Sequence, residues 1–419
     1  MRIAFFVWEY PPVLIGGLGT YAENITRKFV DLDHDVSVFT LNPGELPVRE
    51  IIEGVEVHRP MIANAMKVFP ILVTEDLKRW GTNLKFFNDV FIYNILSATK
   101  FVNELIRKDH YKFDLISIHD WLSSMAGLII KEELKQMPMV FHVHSTEWGR
   151  SGNAGSEVVN HFERVTADTA DRIITVSNIM KDDLIRHGWP ENKIEVVWNG
   201  IDPEKYDPNR ISEEKIQKLR ESYGIKEDEN LILFVGRLTW VKGVRNLIQS
   251  FPIVLKEFPK SKLLILGRGE EQYNIMNLAD TLRIKDKVIF KFEFVSEEER
   301  ILHYAASDLC VFPSLYEPFG IVCLEAMAME KPVVVGARGI VGFIEQVVPS
   351  GPDQNGIHVN GYDANDIAWG IKEVLRDKEL AKRWGKNGRK RALRYFTWDR
   401  VAEQTLNIYQ SLICSTDKL

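Results

Sequence analysis

A chain of 419 residues is close to three times the roughly 150 typical of one domain, which argues for two medium domains and excludes small disulfide scaffolds. Apolar residues at 45% and charged residues at 27% exclude a disordered, collagen-like or membrane-embedded chain, and a net charge of −6 excludes a global pull toward nucleic acid or anionic lipid. Any anion must therefore be held by a local cluster. Cys310, Cys323 and Cys414 are odd in number, far apart and without CxxC spacing, which predicts a reduced, cytoplasmic protein with no zinc cluster. The apolar run over residues 3–8 is too short for a signal-peptide core and stops at Glu9, and no later stretch is long enough to span a bilayer.

Short β-branched runs alternate with longer amphipathic stretches, the pattern of βαβ units and parallel sheets. Strands are predicted over residues 3–7, 36–40, 55–58, 115–119, 140–144, 173–176 and 194–197 in the first half. The second half gives 231–235, 262–266, 288–290, 309–312, 332–335 and 357–359. Between the two series, Asn199-Gly200-Ile201-Asp202-Pro203 through Pro208 is turn-rich and reads as the interdomain linker. The expectation is an α/β protein of two doubly wound, Rossmann-like domains facing across a cleft, with chemistry in the loops that follow strands. A last helical pattern runs from Trp398 through Val401, Leu406 and Leu412 and could pack on either domain.

Four loops carry candidate chemistry. Gly16-Gly17-Leu18-Gly19 follows the first strand and precedes a helix, where close backbone approach and free amides suit a phosphate; the bland alternative is a tight βα turn. Thr40-Leu41-Asn42 stands where a NAD-binding fold wants an acidic residue, which disfavours hydride chemistry. Gly236-Arg237 with Lys242-Gly243 places two cations in one βα loop, enough to neutralise a diphosphate unless the loop is simply solvated.

In Glu317-Pro318-Phe319-Gly320-Ile321-Val322-Cys323-Leu324-Glu325, Pro318 suits the first turn of a helix, with Glu317 at its mouth and Glu325 about two turns in. The two carboxylates lie at different depths of one element and so do not flank one sugar bond as a glycosidase pair would. Glu325 has apolar neighbours and can accept vicinal hydroxyls. His119-Asp120-Trp121 ends one strand; His142 and His144 share a face of the next, and either could be structural, so His119 is the favoured histidine near a reacting carbon. Asp31, Asp33 and Asp35 lack the glycine and distal glutamate of a calcium loop, and no metal is predicted.

At these positions, over nearly the whole chain, the sequence resembles the retaining GT-B glycosyltransferases, particularly family 4 and the bacterial and archaeal glycogen synthases of family 5. The resemblance is carried by Gly16 to Gly19, His119-Asp120-Trp121, Thr175-Val176-Ser177, Asn199 to Asp202, Gly236-Arg237 with Lys242-Gly243, Pro313-Ser314 and Glu317 through Glu325-Ala326. Phe396-Thr397-Trp398 resembles the point where the family's last helix crosses back to the N-terminal domain. It implies an acceptor-binding domain over 1–205 plus 398–419 and a donor-binding domain over 206–397.

Arg237 and Lys242 would hold the donor diphosphate, Glu325 the ribose, and Glu317 the transferred sugar, with Phe319, Gly320 and Ile321 completing the donor stretch. His119 would lie near the anomeric end, and Gly16, Gly17 and Leu18 in the loop over the distal phosphate. Two departures stand out: Ile15 replaces the lysine usual in family 5, and Arg338-Gly339-Ile340-Val341-Gly342 replaces a Gly-Gly pair. The segment Ser145 to Gly152, beside His144, has no clear counterpart; His144, Glu147 and Arg150 are its candidate acceptor contacts.

The implied reaction is retaining transfer of a hexose, most simply glucose, from a nucleotide sugar to a hydroxyl, with an α-glucan or a small sugar, sugar phosphate or lipid-linked acceptor. The implied cofactor is none beyond the donor. Rivals are an epimerase or a pyridoxal-phosphate phosphorylase on the same architecture, and a non-catalytic sugar-nucleotide-binding module.

Overall fold

Strands buried on both faces favour apolar side chains, and the central strands Leu115–His119 and Met139–Val143 are buried throughout, with Ser117, His119 and His142 as their polar members. The computed structural model describes residues 1–14, 16–68, 71, 84–152 and 155–416. The chain divides into two units, Met1–Trp198 with Trp398–Leu419, and Asn199–Thr397.

In the first unit the described residues form strands β1 (Arg2–Phe6), β2 (Asp35–Phe39), β3 (Arg49–Ile52), β4 (Val55–His58), β5 (Leu115–His119), β6 (Met139–Val143), β7 (Arg172–Thr175) and β8 (Ile194–Val196). They lie in the order β3-β4-β2-β1-β5-β6-β7-β8, and every neighbouring pair is parallel except β3 with β4. Antiparallel β3 was not expected from the sequence. Its half-exposed Arg-Glu-Ile-Ile alternation carries too little apolar signal, as befits an edge strand. The helix Trp398–Thr416 belongs to this unit, tied to the helix Gly17–Asp31 by a Lys28–Asp399 ion pair at 2.8 Å and by Phe29 against Tyr409.

In the second unit β9 (Asn230–Val235), β10 (Ser261–Leu266), β11 (Val288–Lys291), β12 (Leu309–Phe312), β13 (Val333–Gly336) and β14 (Gly356–Val359) form an all-parallel sheet in the order β11-β10-β9-β12-β13-β14. This is the doubly wound order, and it reverses direction between β9 and β12, the place where such sheets bind ligands. In the first unit the same reversal falls between β1 and β5.

Two boundaries differ from the sequence reading. The unit break falls after Trp198 rather than near 205, because the polar turn carries two apolar anchors: Ile201 donates its amide to Phe396 O at 2.8 Å and Tyr206 is buried, both within the second unit. The helix expected to open at Pro318 begins at Ile321 instead. Gly320, at φ +90°, supplies the left-handed turn that starts it.

The loops after β9 and β12 are locked together by backbone. Leu315 N donates to Val241 O at 2.7 Å, and at Gly243 (φ +67°) a Cβ would lie 2.1 Å from Pro313 O. Gly243→Ala therefore meets both a left-handed backbone and a carbonyl. It should lose on the order of 1–3 kcal/mol of stability by chemical denaturation; wild-type stability would contradict this close approach.

Candidate active site

In the second unit, the switch-point loops bring Lys242, from the turn Trp240–Lys242 after β9, against Glu317, from the loop after β12. The Lys242 ammonium donates to Glu317 Oε2, which Ser314 Oγ also approaches at 3.4 Å. Glu317 is held from behind: its amide donates to Ile340 O at 2.9 Å and its carbonyl accepts from Gly342 N at 2.7 Å. The divergent segment Arg338 to Gly342 is thus the brace that fixes Glu317, a role its sequence did not announce. Arg237 projects from the same loop as Lys242, exposed and without a hydrogen bond or ion pair among the described residues. At the start of the helix Ile321–Ala328 the Cys323 amide donates to Gly320 O at 3.2 Å, and the Ile321 and Val322 amides precede the first intrahelical bond.

Glu325, about one turn into the helix Ile321–Ala328, is only 4% exposed and fully engaged. Its Oε1 accepts from Tyr206 Oη at 2.9 Å and Arg300 Nη2 at 3.0 Å; its Oε2 accepts from Tyr304 Oη at 2.8 Å and Arg300 Nε at 3.1 Å. Burial, reinforced by the Glu325 charge, pushes both phenols well above their ordinary range, so they stay protonated donors. Arg300 and Tyr304 are four apart on the helix Glu297–Ala306, so one helix face presents both. That spacing was readable in the sequence, but no motif drew attention to it, and Tyr206 was hidden in the linker.

In the first unit, Gly16 is the N-cap of the helix Gly17–Asp31 and donates its amide to Glu9 Oε2 at 2.9 Å, leaving the first-turn amides of Gly17, Leu18 and Gly19 without intrahelical acceptors. Ile15 lies outside the described residues. His142 and His144 share a face as the strand alternation leads one to expect, and His119 from the neighbouring strand joins them. Their rings stack, with His119 and His142 centroids 4.4 Å apart. His119 Nδ1 pairs with His144 Nε2 at 3.1 Å and its Nε2 with Ser117 Oγ at 2.9 Å; Tyr409 Oη bridges Ser117 Oγ at 2.8 Å and His142 Nε2 at 2.7 Å. Burial, then the neighbouring imidazoles, drives His119 and His142 well below their usual range, and burial also lowers His144, so the cluster is neutral.

This corrects the preference for His119. Its side chain is wholly enclosed with both nitrogens engaged, whereas His144 is the one residue of the three that is not fully buried. Asp120, at φ +53° and ψ 176°, lies outside the left-handed helical region in a conformation costly for a residue with a Cβ, and its Oδ1 accepts from His144 N at 2.7 Å. The strained residue of the His119-Asp120-Trp121 motif therefore positions His144.

The loop after β6 is organised from within. Glu147 Oε1 accepts from Ser156 N at 3.0 Å and Ser151 Oγ at 3.2 Å, and its Oε2 from Arg150 Nη2 at 3.3 Å. Glu147 is buried and serves the loop, which removes it as an acceptor contact; Arg150 stays partly exposed. Beneath it, Glu163 accepts the Glu147 amide on both oxygens, and burial, opposed by Arg150, pushes its carboxyl up to about 8.

Two family models match this chain: Glycosyltransferase Family 4 over residues 15–205 and Glycosyl transferases group 1 over 215–391. An uncharacterised glycosyltransferase of Methanocaldococcus jannaschii is 34% identical over 98% of each chain, and a glycogen synthase of Mycobacterium tuberculosis is 30% identical over 98% of this chain and 94% of its own. The chain belongs to the family 4, group 1 glycosyltransferases. Sucrose-phosphate synthase from Thermosynechococcus elongatus has the same GT-B fold, with a TM-score of 0.77 at 23% identity over 99% of both chains.

This glycosyltransferase thus gathers Lys242, Glu317, Gly320 and Ile321 at one switch point, with Arg237 on the same loop and Glu325 in a separate buried cluster. Phe319 packs inward, 6.0 Å from the Phe396 ring, and acts as core rather than as an exposed contact. Among the described residues no helix is long and apolar enough to cross a membrane.

The Glu163 carboxyl gives this enzyme a stability signature. Its ordinary value is 4.5, and in the fold it keeps its proton to about 8. Between those values the native state holds a proton that the unfolded chain has lost, so this contribution is complete below about 4.5 and is lost as pH rises toward about 8. Glu163→Gln, neutral at every pH, should flatten that decline in calorimetric Tm; an unchanged pH slope would contradict the buried, protonated carboxyl.

Proposed function

We propose that this glycosyltransferase moves a hexosyl group, glucose in the simplest case, from a nucleoside-diphosphate sugar to an acceptor hydroxyl with retention of anomeric configuration. The observation that carries the reading is the Lys242–Glu317 pair at the β9/β12 switch point, with unpaired Arg237 beside it and a helix N-terminus following. Glu317 stands in the position of an anion. A diphosphate, carrying more charge, competes for the Lys242 ammonium and releases the Glu317 carboxylate to accept hydroxyls of the sugar.

Departure of the diphosphate leaves oxocarbenium-like charge on the sugar and concentrates negative charge on the leaving oxygen. Preorganised donors aimed at such a charge contribute roughly 3–4 kcal/mol each, and Arg237, Lys242 and the amides at Ile321 and Val322 are suited to that task. The acceptor oxygen bonds to the anomeric carbon on the face from which the diphosphate leaves; the carbon–oxygen bond to phosphate breaks, and the acceptor proton passes to the departing phosphate. No protein base and no cofactor beyond the donor enter this scheme. The neutral histidine cluster agrees with it, since buried imidazoles held below their usual range are poor proton acceptors.

The first unit is assigned the acceptor, through His144 and Arg150. A relative named for glycogen supports an α-glucan acceptor, and a structural neighbour named for sucrose phosphate supports a small sugar phosphate as the alternative. The test is proton NMR of the product formed from ADP-, UDP- and GDP-glucose with maltooligosaccharide and glucose 6-phosphate acceptors. An α-linked product is expected; an inverted anomer would overturn the same-face mechanism, and free glucose as the sole product with every acceptor would overturn the transfer itself.

A further inference from the structure

Glu325 cannot receive a ligand in the arrangement described. A carboxylate offers about four acceptor directions, and here Tyr206, Tyr304 and the two Arg300 donors fill them. Resting on the reading that the second unit binds a nucleotide sugar through its ribose at Glu325, one of these donors must yield. Arg300 is held by charge as well as by hydrogen bonds, and Tyr304 is wholly enclosed, with Val322 O, at 3.4 Å, as its only second acceptor among the described residues.

Tyr206 is different. Its single phenolic proton has two carboxylates within reach, Glu325 Oε1 at 2.9 Å and Glu297 Oε1 at 3.2 Å, while its oxygen accepts from Arg300 Nη2 at 2.9 Å. Glu297 sits at the first position of the helix Glu297–Ala306, partly exposed, and is steadied by Lys205 at 3.2 Å. Re-aiming the Tyr206 proton from Glu325 to Glu297 vacates one acceptor direction on Glu325 and leaves no buried polar group unpaired, which is the costly outcome in such networks.

We propose that Tyr206 is a positioning residue that sets recognition of the donor ribose: its hydroxyl occupies Glu325 in the free protein and is handed to Glu297 when a ribose hydroxyl arrives. The ribose oxygen then donates to Glu325 Oε1, and Arg300 keeps both the carboxylate and the phenol in place. Glu297 is the receiving partner that makes the exchange inexpensive.

The test uses calorimetric titration of the full chain with ADP, UDP and GDP, and then the best-bound of these against its 2′,3′-dideoxy form. Tyr206→Phe removes the competitor and should tighten the ribonucleotide about threefold or more, leaving the dideoxy form unchanged. Glu297→Ala traps the Tyr206 proton on Glu325 and should weaken the ribonucleotide about tenfold, again without effect on the dideoxy form. Equal changes for both forms, or weaker ribonucleotide binding by Tyr206→Phe, would overturn the exchange while leaving nucleotide binding intact. Failure of the wild-type chain to bind any of the three nucleotides would instead overturn the donor-binding reading on which it rests.

Discussion

Where a Cβ would stand at residue 243, the chain has the carbonyl of Pro313. The meeting of Lys242 and Glu317 in the second unit follows from that contact. It clamps the loop after β9 to the loop after β12 at the one position in the sheet where strand order reverses, so that Lys242, next to the glycine, and Glu317, four residues beyond the carbonyl, must meet. The brace from Ile340 to Gly342 then prevents Glu317 from backing away, and the left-handed turn at Gly320 aims a helix start at the same place. Two loops that read as separate motifs in the sequence are one site because backbone sterics leave them no alternative.

Within each unit, taken by itself, buried polar groups are satisfied in a contrasting way. Glu325 is engaged by Arg300 and by two phenols that burial holds protonated. In the first unit burial makes the histidines neutral, and they close a ring of hydrogen bonds through Ser117 and Tyr409. Both arrangements obey the rule that a buried polar group must be paired. At the edge of these networks stand Lys242 in one unit and the partly exposed His144 and Arg150 in the other.

Much of the architecture was legible because parallel strands buried on both faces leave continuous apolar runs, and Leu115–His119 and Leu309–Phe312 were located to the residue. Edge strand β3 was not, since half of its residues face solvent and its composition resembles a loop. At the site, Lys242 and Glu317 were legible from glycine and proline punctuation. The roles of Glu147 and His119 were not, because a sequence shows that a polar residue is present but not whether its partners come from its own loop. Tyr206 was obscured by the turn-rich residues around it, although its burial decides to which unit the linker belongs.

The account turns on Lys242 exchanging Glu317 for a donor diphosphate. The most direct measurement is calorimetric binding of a nucleoside diphosphate and of the matching monophosphate to the wild-type chain and to Lys242→Ala. The diphosphate should bind the variant about 100-fold more weakly while the monophosphate changes little, since only the distal phosphate meets the ammonium. Equal losses for the two, or undiminished diphosphate binding, would contradict the assignment of Lys242 to the leaving group.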